Sequence, residues 1–195
     1  MTEAARNVQT PQVAPEATVN GIRLETLQAT VQAIADQPEL GACKFRATNT
    51  WLDGNHNRST IKGFYAAQQE MPHAQEFELL ADEPPILAGN DLAPNPVEHL
   101  LNALAACVTT SMVAHAAVRG IHIEELESEL EGDIDLRGFL GVAEDVPRGF
   151  TEIRVNFKVK SDVKNLDRLK RLALFSPVFN TITQGAKVAI DVEAK

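Results

Sequence analysis

The segment from residue 97 to residue 118 restricts the fold of this chain more than any other part of the sequence. Pro96 suits the first turn of a helix, where its missing N–H costs no hydrogen bond, and Gly120 suits the position just after a helix end. The side chains between them are mostly apolar or small, and a helix that is apolar on most sides must be buried on most sides. We therefore expect this segment to form the central helix of the core.

Shorter patterns place the other elements around that helix. Apolar residues at spacings of three and four predict an amphipathic helix from Leu24 to Ile34, which Pro38 ends. Two further helices are expected at residues 162–174 and 178–183. Alternating or continuous apolar runs predict six strands, at residues 42–51, 61–65, 77–80, 121–135, 151–159 and 186–192. We expect the first of these strands to be half-buried and the last to close a sheet.

This order of elements predicts an α+β fold, because strands and helices do not alternate regularly enough for a doubly wound sheet. The length of 195 residues suits one domain with an additional arm. We expect residues 1–19 to form a flexible N-terminal tail, residues 20–40 a helical arm and residues 41–195 the α+β domain.

Composition excludes several classes of partner and site. The formal net charge of −9 disfavours binding to nucleic acid and to anionic membranes. No apolar run reaches the ~20 residues that a membrane span requires, and the polar N-terminus lacks the apolar region of a secretory signal. Two cysteines are too few for a disulfide framework, which favours the cytoplasm. The five histidines show no metal-ligand spacing, and we expect neither a metal nor a cofactor.

Cys107 is the side chain of the predicted central helix that is best suited to chemistry. The thiolate is the reactive form of cysteine, and the leaving oxygen of a peroxide needs a cation or hydrogen-bond donors. One turn away, only the hydroxyl groups of Thr110 and Ser111 are available, so a charged partner must come from another element or subunit. A small buried apolar side chain is the other interpretation of Cys107, and the residues alone leave both open. Cys43 alternates with apolar residues and is expected in the core.

Several motifs in a fixed order resemble those of the OsmC/Ohr family. Asn95-Pro96 is followed by Cys107, twelve residues after the asparagine, as in the central helix of that family. Downstream, the pairs Gly120-Ile121 and Glu131-Gly132 and the turn from Ser176 to Asn180 fall where the family has its next strand, the end of that strand and a second functional turn. The resemblance extends from about Cys43 to the C-terminus.

The resemblance implies an intertwined homodimer in which two sheets cover a pair of central, cysteine-bearing helices. It further implies active sites between the subunits and thiol-dependent reduction of organic hydroperoxides. In the family, the reactive cysteine attacks the peroxide, and a second cysteine then forms a disulfide with the resulting sulfenic acid. Cys107 is the matching reactive cysteine in this chain.

Three positions depart from the family pattern. Ser176 stands where the family has its second cysteine, so the usual internal disulfide cannot form. The position of the family's carboxylate holds Val97, and Glu98 follows one residue later. The position of its arginine aligns best with Leu52, and Arg58 is close enough to substitute. The candidate catalytic residues are therefore Cys107, Glu98 and Arg58, with Ser176 at the resolving position.

Three hypotheses about function follow. The first is a peroxidase that serves in oxidative stress defence, reducing organic hydroperoxides through Cys107 and drawing on an external thiol reductant. The second is a non-catalytic dimer that binds an apolar small molecule beside its central helices. The third is acyl or sulfur transfer at Cys107, with the same nucleophile and a different electrophile.

Overall fold

The computed structural model of the chain describes residues 17–195. The expected flexible tail lies, except for its last three residues, outside the described residues. The predicted central helix is confirmed and is the longest helix of the described chain, α2, Pro96–Val118. Pro96 occupies its first turn, and Gly120 has a φ of 63° just after its end, a conformation that glycine adopts without strain.

A short hairpin and a helix precede the first sheet. Strands β1, Thr18–Val19, and β2, Ile22–Arg23, pair around Asn20 and lead into α1, Leu24–Asp36, which confirms the predicted amphipathic helix. The Asn20 amide donates to the carbonyl oxygen of Ile121 at 2.9 Å and accepts from the N–H of Ile123 at 3.0 Å. These two bonds fasten the hairpin to the chain just after α2.

The first sheet has four antiparallel strands: β3, Lys44–Phe45; β4, Thr48–Asp53; β5, His56–Ala66; and β6, Gln69–Ala81. Strands β3 and β4 pair in succession with β5, and β6 pairs with the other edge of β5. The prediction of one half-buried strand over 42–51 is wrong. Phe45 pairs with Phe64 of β5, and Thr48 pairs with Thr60. The two pairs are three residues apart on one side and four on the other, so β5 has one extra residue and the ladder is interrupted there. Both short strands are exposed.

The two faces of this sheet differ sharply in polarity. One face carries ion pairs between neighbouring strands, including Lys62 with Glu76 at 3.2 Å. The other carries a row of ring contacts that runs from Phe45 through Phe64 and His73 to Phe77. Phe45 is nevertheless 76% exposed. The apolar face of the sheet therefore lacks a cover within the described chain.

The second sheet is a hairpin that follows α2. Its strands are β7, Ile123–Asp133, and β8, Glu152–Ser161, and both confirm their predicted counterparts. The connection between them contains α3, Leu136–Phe139. Two more helices follow: α4, Leu166–Leu172, which has a 3-10 turn at each end, and α5, Pro177–Gln184. Apolar side chains of α2, the hairpin and these helices form the core, whose buried members are Leu104, Val108, Met112, Ala116, Ile121, Leu169 and Leu172.

The expectation that α2 is buried on most sides is wrong within one chain. Its buried side chains form a stripe at every fourth position, Leu104, Val108, Met112 and Ala116, joined by Ala117 near the end. The opposite side of the helix is exposed and carries small side chains, among them Ala103, Ala106 and Thr110. By length and composition alone α2 could cross a membrane, but one such helix is weak evidence, because the core helix of a soluble protein meets the same criterion.

The predicted last strand, residues 186–192, is not formed. This part of the chain follows α5 without entering either sheet. Its alternating apolar side chains are almost fully exposed, at 82% for Val188, 83% for Ile190 and 91% for Val192. Alternation predicts a strand only where a sheet edge is available for pairing, and no edge of the described chain receives this segment.

Candidate functional site

Cys107 lies in the middle of α2 and is half-buried between the buried stripe and the exposed, small-residue side. The hydroxyl of Thr110 donates to the carbonyl oxygen of Cys107 at 3.1 Å, so in this geometry it serves the backbone and not the sulfur. Both Cys107 and Cys43 are free thiols. Cys43 is exposed, so the expectation that it belongs to the core is wrong. Cys43 directly precedes β3, which does not cover the core of its own chain.

Glu98 lies at the start of α2, where it completes a capping box. Its Oε2 accepts a hydrogen bond from the backbone N–H of Asn95 at 2.8 Å, and the Asn95 side chain accepts from the N–H groups of Val97 and Glu98. Glu98 precedes Cys107 by nine residues, which is about 13 Å along a straight helix. Within one chain the structure therefore places this carboxylate at the helix end and away from the thiol.

Arg58 lies on β5 and points to the polar face of the first sheet. Its guanidinium is 3.6 Å from a carboxylate oxygen of Glu78 on the neighbouring strand. Both side chains are largely exposed. Among the described ion pairs and hydrogen bonds of Arg58, none joins it to Cys107 or Glu98. One chain alone does not assemble the three predicted catalytic residues.

Ser176 is completely buried and caps the N-terminus of α5. Its Oγ accepts from the N–H of Phe179 at 3.1 Å, and its carbonyl oxygen accepts from the Asn180 amide at 2.8 Å. Val178 and Phe179 of the same turn pack against the core around α2. The turn that resembles the family's second functional turn thus lies against the central helix, with a hydroxyl where the family has a thiol.

Asp82, in the loop before α2, has a structural role that the sequence did not reveal. Its fully buried carboxylate accepts from the backbone N–H groups of Glu83, Asn90 and Leu92. Burial opposes ionisation of this carboxyl, but the three N–H donors outweigh burial and, helped by nearby His56, lower its pKa below the usual value. Asp82 thereby holds the loop that leads into α2. Nothing in a proline-rich loop signals which of its acidic residues is turned inward.

Two histidines of α2 also have structural partners. The ring Nε2 of His99 lies 2.8 Å from the carbonyl oxygen of Leu80, which links the first turn of α2 to β6. The ring of His115 lies 4.2 Å from that of Phe175, and burial together with the neighbouring Arg119 lowers the pKa of His115. Both rings are too far along the helix to act on Cys107. Within residues 17–195, no group of His, Cys, Asp and Glu side chains is arranged to hold a metal ion.

An apolar cavity of about 540 Å³ lies beside α2 on the side away from the small residues. Buried Val108 and Met112 of α2 form its floor. The remaining walls come from β8, α4 and the segment from α4 to α5, namely Val155, Asn156, Phe157, Val159, Leu166, Leu169, Lys170, Ala173, Leu174 and Phe179. Lys170 is the charged member of this lining. Cys107 does not line the cavity, so the thiol and the cavity are separate features.

Comparisons with known structures agree with this architecture. A protein from Psychrobacter arcticus 273-4, described as an osmotic stress induced and detoxification response protein, is 20% identical, with a TM-score of 0.54 over 71% of this chain and 88% of that one. An OsmC-like protein from Mycoplasma pneumoniae is 19% identical, with a TM-score of 0.53 over 72% and 87%. An OsmC-like protein of unknown function from Vibrio cholerae is 13% identical, with a TM-score of 0.54 over 71% and 92%. At these identities the likeness concerns the fold.

The sequence comparisons give the family directly. No curated protein sequence matches the chain at a significant level. Residues 89–191, which include α2, the second sheet, the capped turn at Ser176 and most of the unpaired C-terminal segment, match the family model described as OsmC-like protein. That match covers more than half of the chain. With its α+β architecture, this chain belongs to the OsmC-like protein family.

Proposed function

We propose that this protein reduces organic hydroperoxides through Cys107, using an external thiol as reductant, and that it acts as a homodimer in the cytoplasm. The observation that carries the proposal is the position of Cys107. It lies in the motif that begins at Asn95, half-buried on the flank of α2 next to the helix side that one chain leaves open. A half-buried thiol there is within reach of a small peroxide.

The chemistry needs two steps. In the first, the Cys107 thiolate attacks the terminal oxygen of the hydroperoxide, the S–O bond forms as the O–O bond breaks, and the departing alkoxide takes up a proton to become the alcohol. Cys107 is thereby oxidised to a sulfenic acid. In the second, one thiol of a dithiol reductant condenses with the sulfenic acid and releases water, and the other thiol displaces Cys107 and closes the reductant's disulfide.

Ser176 is the reason that we propose an external reductant. A hydroxyl at the resolving position cannot form a disulfide with the oxidised Cys107, and this hydroxyl is already engaged as the cap of α5. Buried Ser176 also keeps the geometry of the turn against α2. The second step therefore draws on a thiol from another molecule.

The surface area of the chain supports the homodimer. The chain exposes 15185 Å², against about 9,000 Å² for a compact monomer of its 21.2 kDa. Residues 1–16 would add about 2,500 Å² to the exposed surface if they were fully extended. When this area is subtracted as well, the exposed surface still exceeds that of a compact monomer by a large amount. Large obligate interfaces bury roughly 1,000–2,500 Å² or more on each partner, so the excess of one chain is at least as large as such an interface needs. A second copy that covers the open surfaces would remove much of it.

Two surfaces are suited to that second copy. The exposed side of α2 carries Ala103, Ala106 and Thr110, and small side chains let another helix approach closely. The first sheet offers its uncovered aromatic face around Phe45. A partner that covers α2 would close the environment of Cys107 and supply the cation that one chain does not bring to the thiol. Arg58 is our candidate for that cation, whereas Glu98 remains engaged in the cap of α2.

Substitution of the thiol tests the proposal. Purified protein is expected to consume an alkyl hydroperoxide in the presence of a dithiol, and Cys107→Ser is expected to reduce this to background because serine cannot cycle through a sulfenic acid. Cys43→Ser is the matched control and should retain the activity, since Cys43 is exposed and outside the motif. Equal rates for wild type and Cys107→Ser would refute the peroxidase proposal. Intact mass after acyl donors are added would then test group transfer.

A further inference from the structure

A row of four side chains runs along one flank of α2 at a constant spacing of four residues. Its members are Cys107, Ser111, His115 and Arg119, the last of which caps the end of the helix. Side chains four residues apart are neighbours on a helix surface. The first three are half-buried, and the row lies beside the buried stripe that begins at Leu104. The thiol therefore lies at one end of a line of hydrogen-bonding groups and a guanidinium at the other.

The contacts at the Arg119 end of the row define the state of His115. Nη1 of Arg119 lies 3.3 Å from Nδ1 of His115 and donates to the carbonyl oxygen of His115 at 3.0 Å. A guanidinium can only donate, so Nδ1 accepts, and the ring hydrogen of neutral His115 is on Nε2. Burial and the charge of Arg119 lower the pKa of His115, which favours the neutral ring. The Nε2–H group is thus left as a donor.

Phe175 holds the imidazole in place. Its ring centroid lies 4.2 Å from that of His115, and the guanidinium of Arg119 lies 5.8 Å from the same ring. Phe175 directly precedes Ser176, so the turn that packs against α2 also positions His115. The 3-10 turn Ala173–Phe175 and α5 contain no charged side chain. Among the described hydrogen bonds and ion pairs, no charged side chain of α4 or β7 reaches the row, so Arg119 is the charge that acts on His115.

Ser111 carries the hydroxyl that is available to the thiol. The Thr110 hydroxyl is engaged by the carbonyl oxygen of Cys107, whereas the Ser111 hydroxyl has no hydrogen-bond partner among residues 17–195. Helical side chains tilt toward the N-terminus of their helix, so His115 leans toward Ser111 and Ser111 leans toward Cys107. One helical turn is about 5.4 Å, so rotation about χ1 of Ser111 can place its Oγ between the sulfur and the imidazole.

We infer that the Ser111 hydroxyl donates a hydrogen bond to the Cys107 thiolate and accepts one from the Nε2–H group of His115. His115 and Arg119 are then positioning residues, which act on the thiol through Ser111. This inference rests on the proposed role of Cys107 as the nucleophile. The three hydrogen bonds all point toward the sulfur and reinforce one another in a partly buried site. A hydrogen bond to the charged form favours that form, so the row increases the fraction of thiolate. The cation that stabilises the leaving oxygen is a separate requirement.

The pH dependence of alkylation measures the effect on the thiol directly. In a Cys43→Ser background, Cys107 is the remaining cysteine, and its reaction with iodoacetamide is followed by intact mass. Ser111→Ala is expected to lower the rate at pH 7 about tenfold, as for a lost hydrogen bond to a charged group, and to move the profile to higher pH. Ser111→Thr keeps a hydroxyl and should keep the original profile. Thr109→Val removes a half-buried hydroxyl from the opposite flank of α2 and is the matched control.

His115→Phe tests the second hydrogen bond of the row. It keeps a ring to stack on Phe175 and removes the Nε2–H donor, so the alkylation rate at pH 7 should fall about threefold. Combined with Ser111→Ala, it should cause no further loss, because its effect reaches the sulfur through Ser111. Losses that multiply in the double variant, or an unchanged rate in Ser111→Ala, would overturn the inference. If Ser111→Ala fails to fold, an unchanged rate in His115→Phe overturns it.

The remaining outcomes separate this inference from the proposed function. Hydroperoxide consumption through Cys107, together with equal alkylation of wild type and Ser111→Ala, would overturn the inference alone. The expected losses of alkylation in a protein that consumes no hydroperoxide would support the row and refute the peroxidase proposal. A Cys107 that iodoacetamide reaches at no pH would overturn both.

Discussion

Glu98 is both the carboxylate nearest to the family's catalytic position and an ordinary part of a helix cap. The pattern Asn95-x-x-Glu98 is the signature of a capping box, and the structure shows both of its hydrogen bonds. A carboxylate that is engaged about 13 Å along the helix from Cys107 cannot act on that thiol within one chain. Its contribution within one chain is to the start of α2.

Substitutions at Glu98 separate the cap from catalysis. Glu98→Gln is expected to keep the free energy of unfolding within about 0.5 kcal/mol, because glutamine also completes a capping box. It should also keep peroxidase activity, whereas Asn95→Ala should destabilise the fold by about 1 kcal/mol. Urea unfolding and peroxide consumption measure the two effects. A Glu98→Gln protein that is stable but inactive would instead assign the carboxylate to the site that the partner completes.

At the scale of single residues, the sequence predicts what local chemistry decides and misses what the fold decides. The cap of α2 and the left-handed Gly120 can be recognised from neighbouring residue types alone. Asp82 cannot, because its three N–H partners come from positions up to ten residues later along the loop. The exposure of Cys43 is likewise a consequence of where the first sheet lies.

Among the elements, the loop between β6 and α2 depends on one glycine. A Cβ at Gly89 would overlap the carbonyl oxygen of Glu83, so the backbone would have to move where Asp82 holds the loop closed. Gly89→Ala should therefore lower the free energy of unfolding by about 1–3 kcal/mol, as overpacking usually does. Gly149→Ala is the control, because a Cβ there meets no atom within 4 Å. Urea unfolding compares the two; equal losses would contradict the role of Gly89.

The elements that the sequence predicts correctly are those that stabilise themselves or pair with a chain neighbour. Helix α2 and the hairpin of β7 and β8 belong to this group. The predicted strand over 42–51 is divided into β3 and β4 because β5 has one extra residue between the points where it pairs with them. An alternation pattern in residues 42–51 cannot predict an extra residue in another strand. The predicted strand over 186–192 has the alternating pattern but pairs with no sheet edge among the described residues, so the pattern alone did not decide the structure.

At the scale of the whole molecule, the uncovered surfaces of α2 and of the first sheet both bear on whether a single chain is stable by itself. A chain of 21.2 kDa with 15185 Å² of exposed surface, even after about 2,500 Å² is subtracted for residues 1–16, buries too little of itself to resemble a compact monomer. If folding and assembly are coupled, stability must depend on protein concentration, because mass action favours the dimer as the chain becomes more concentrated. The thermal midpoint of the wild-type protein is therefore expected to rise over a hundredfold increase in concentration.

Ala106→Arg tests the same coupling at the exposed side of α2. A long charged side chain there would prevent close approach of a second helix, so the protein should become monomeric, and its thermal midpoint should fall and lose its dependence on concentration. Peroxide consumption should fall as well, although Cys107 is intact, because the activating cation comes from the partner in our proposal. Glu127→Arg, on the exposed face of the second sheet, is the control and should remain dimeric and active. A monomeric Ala106→Arg protein with full activity would show that one chain suffices for the chemistry, and Arg58 or another cation of the same chain would then have to move toward the thiol.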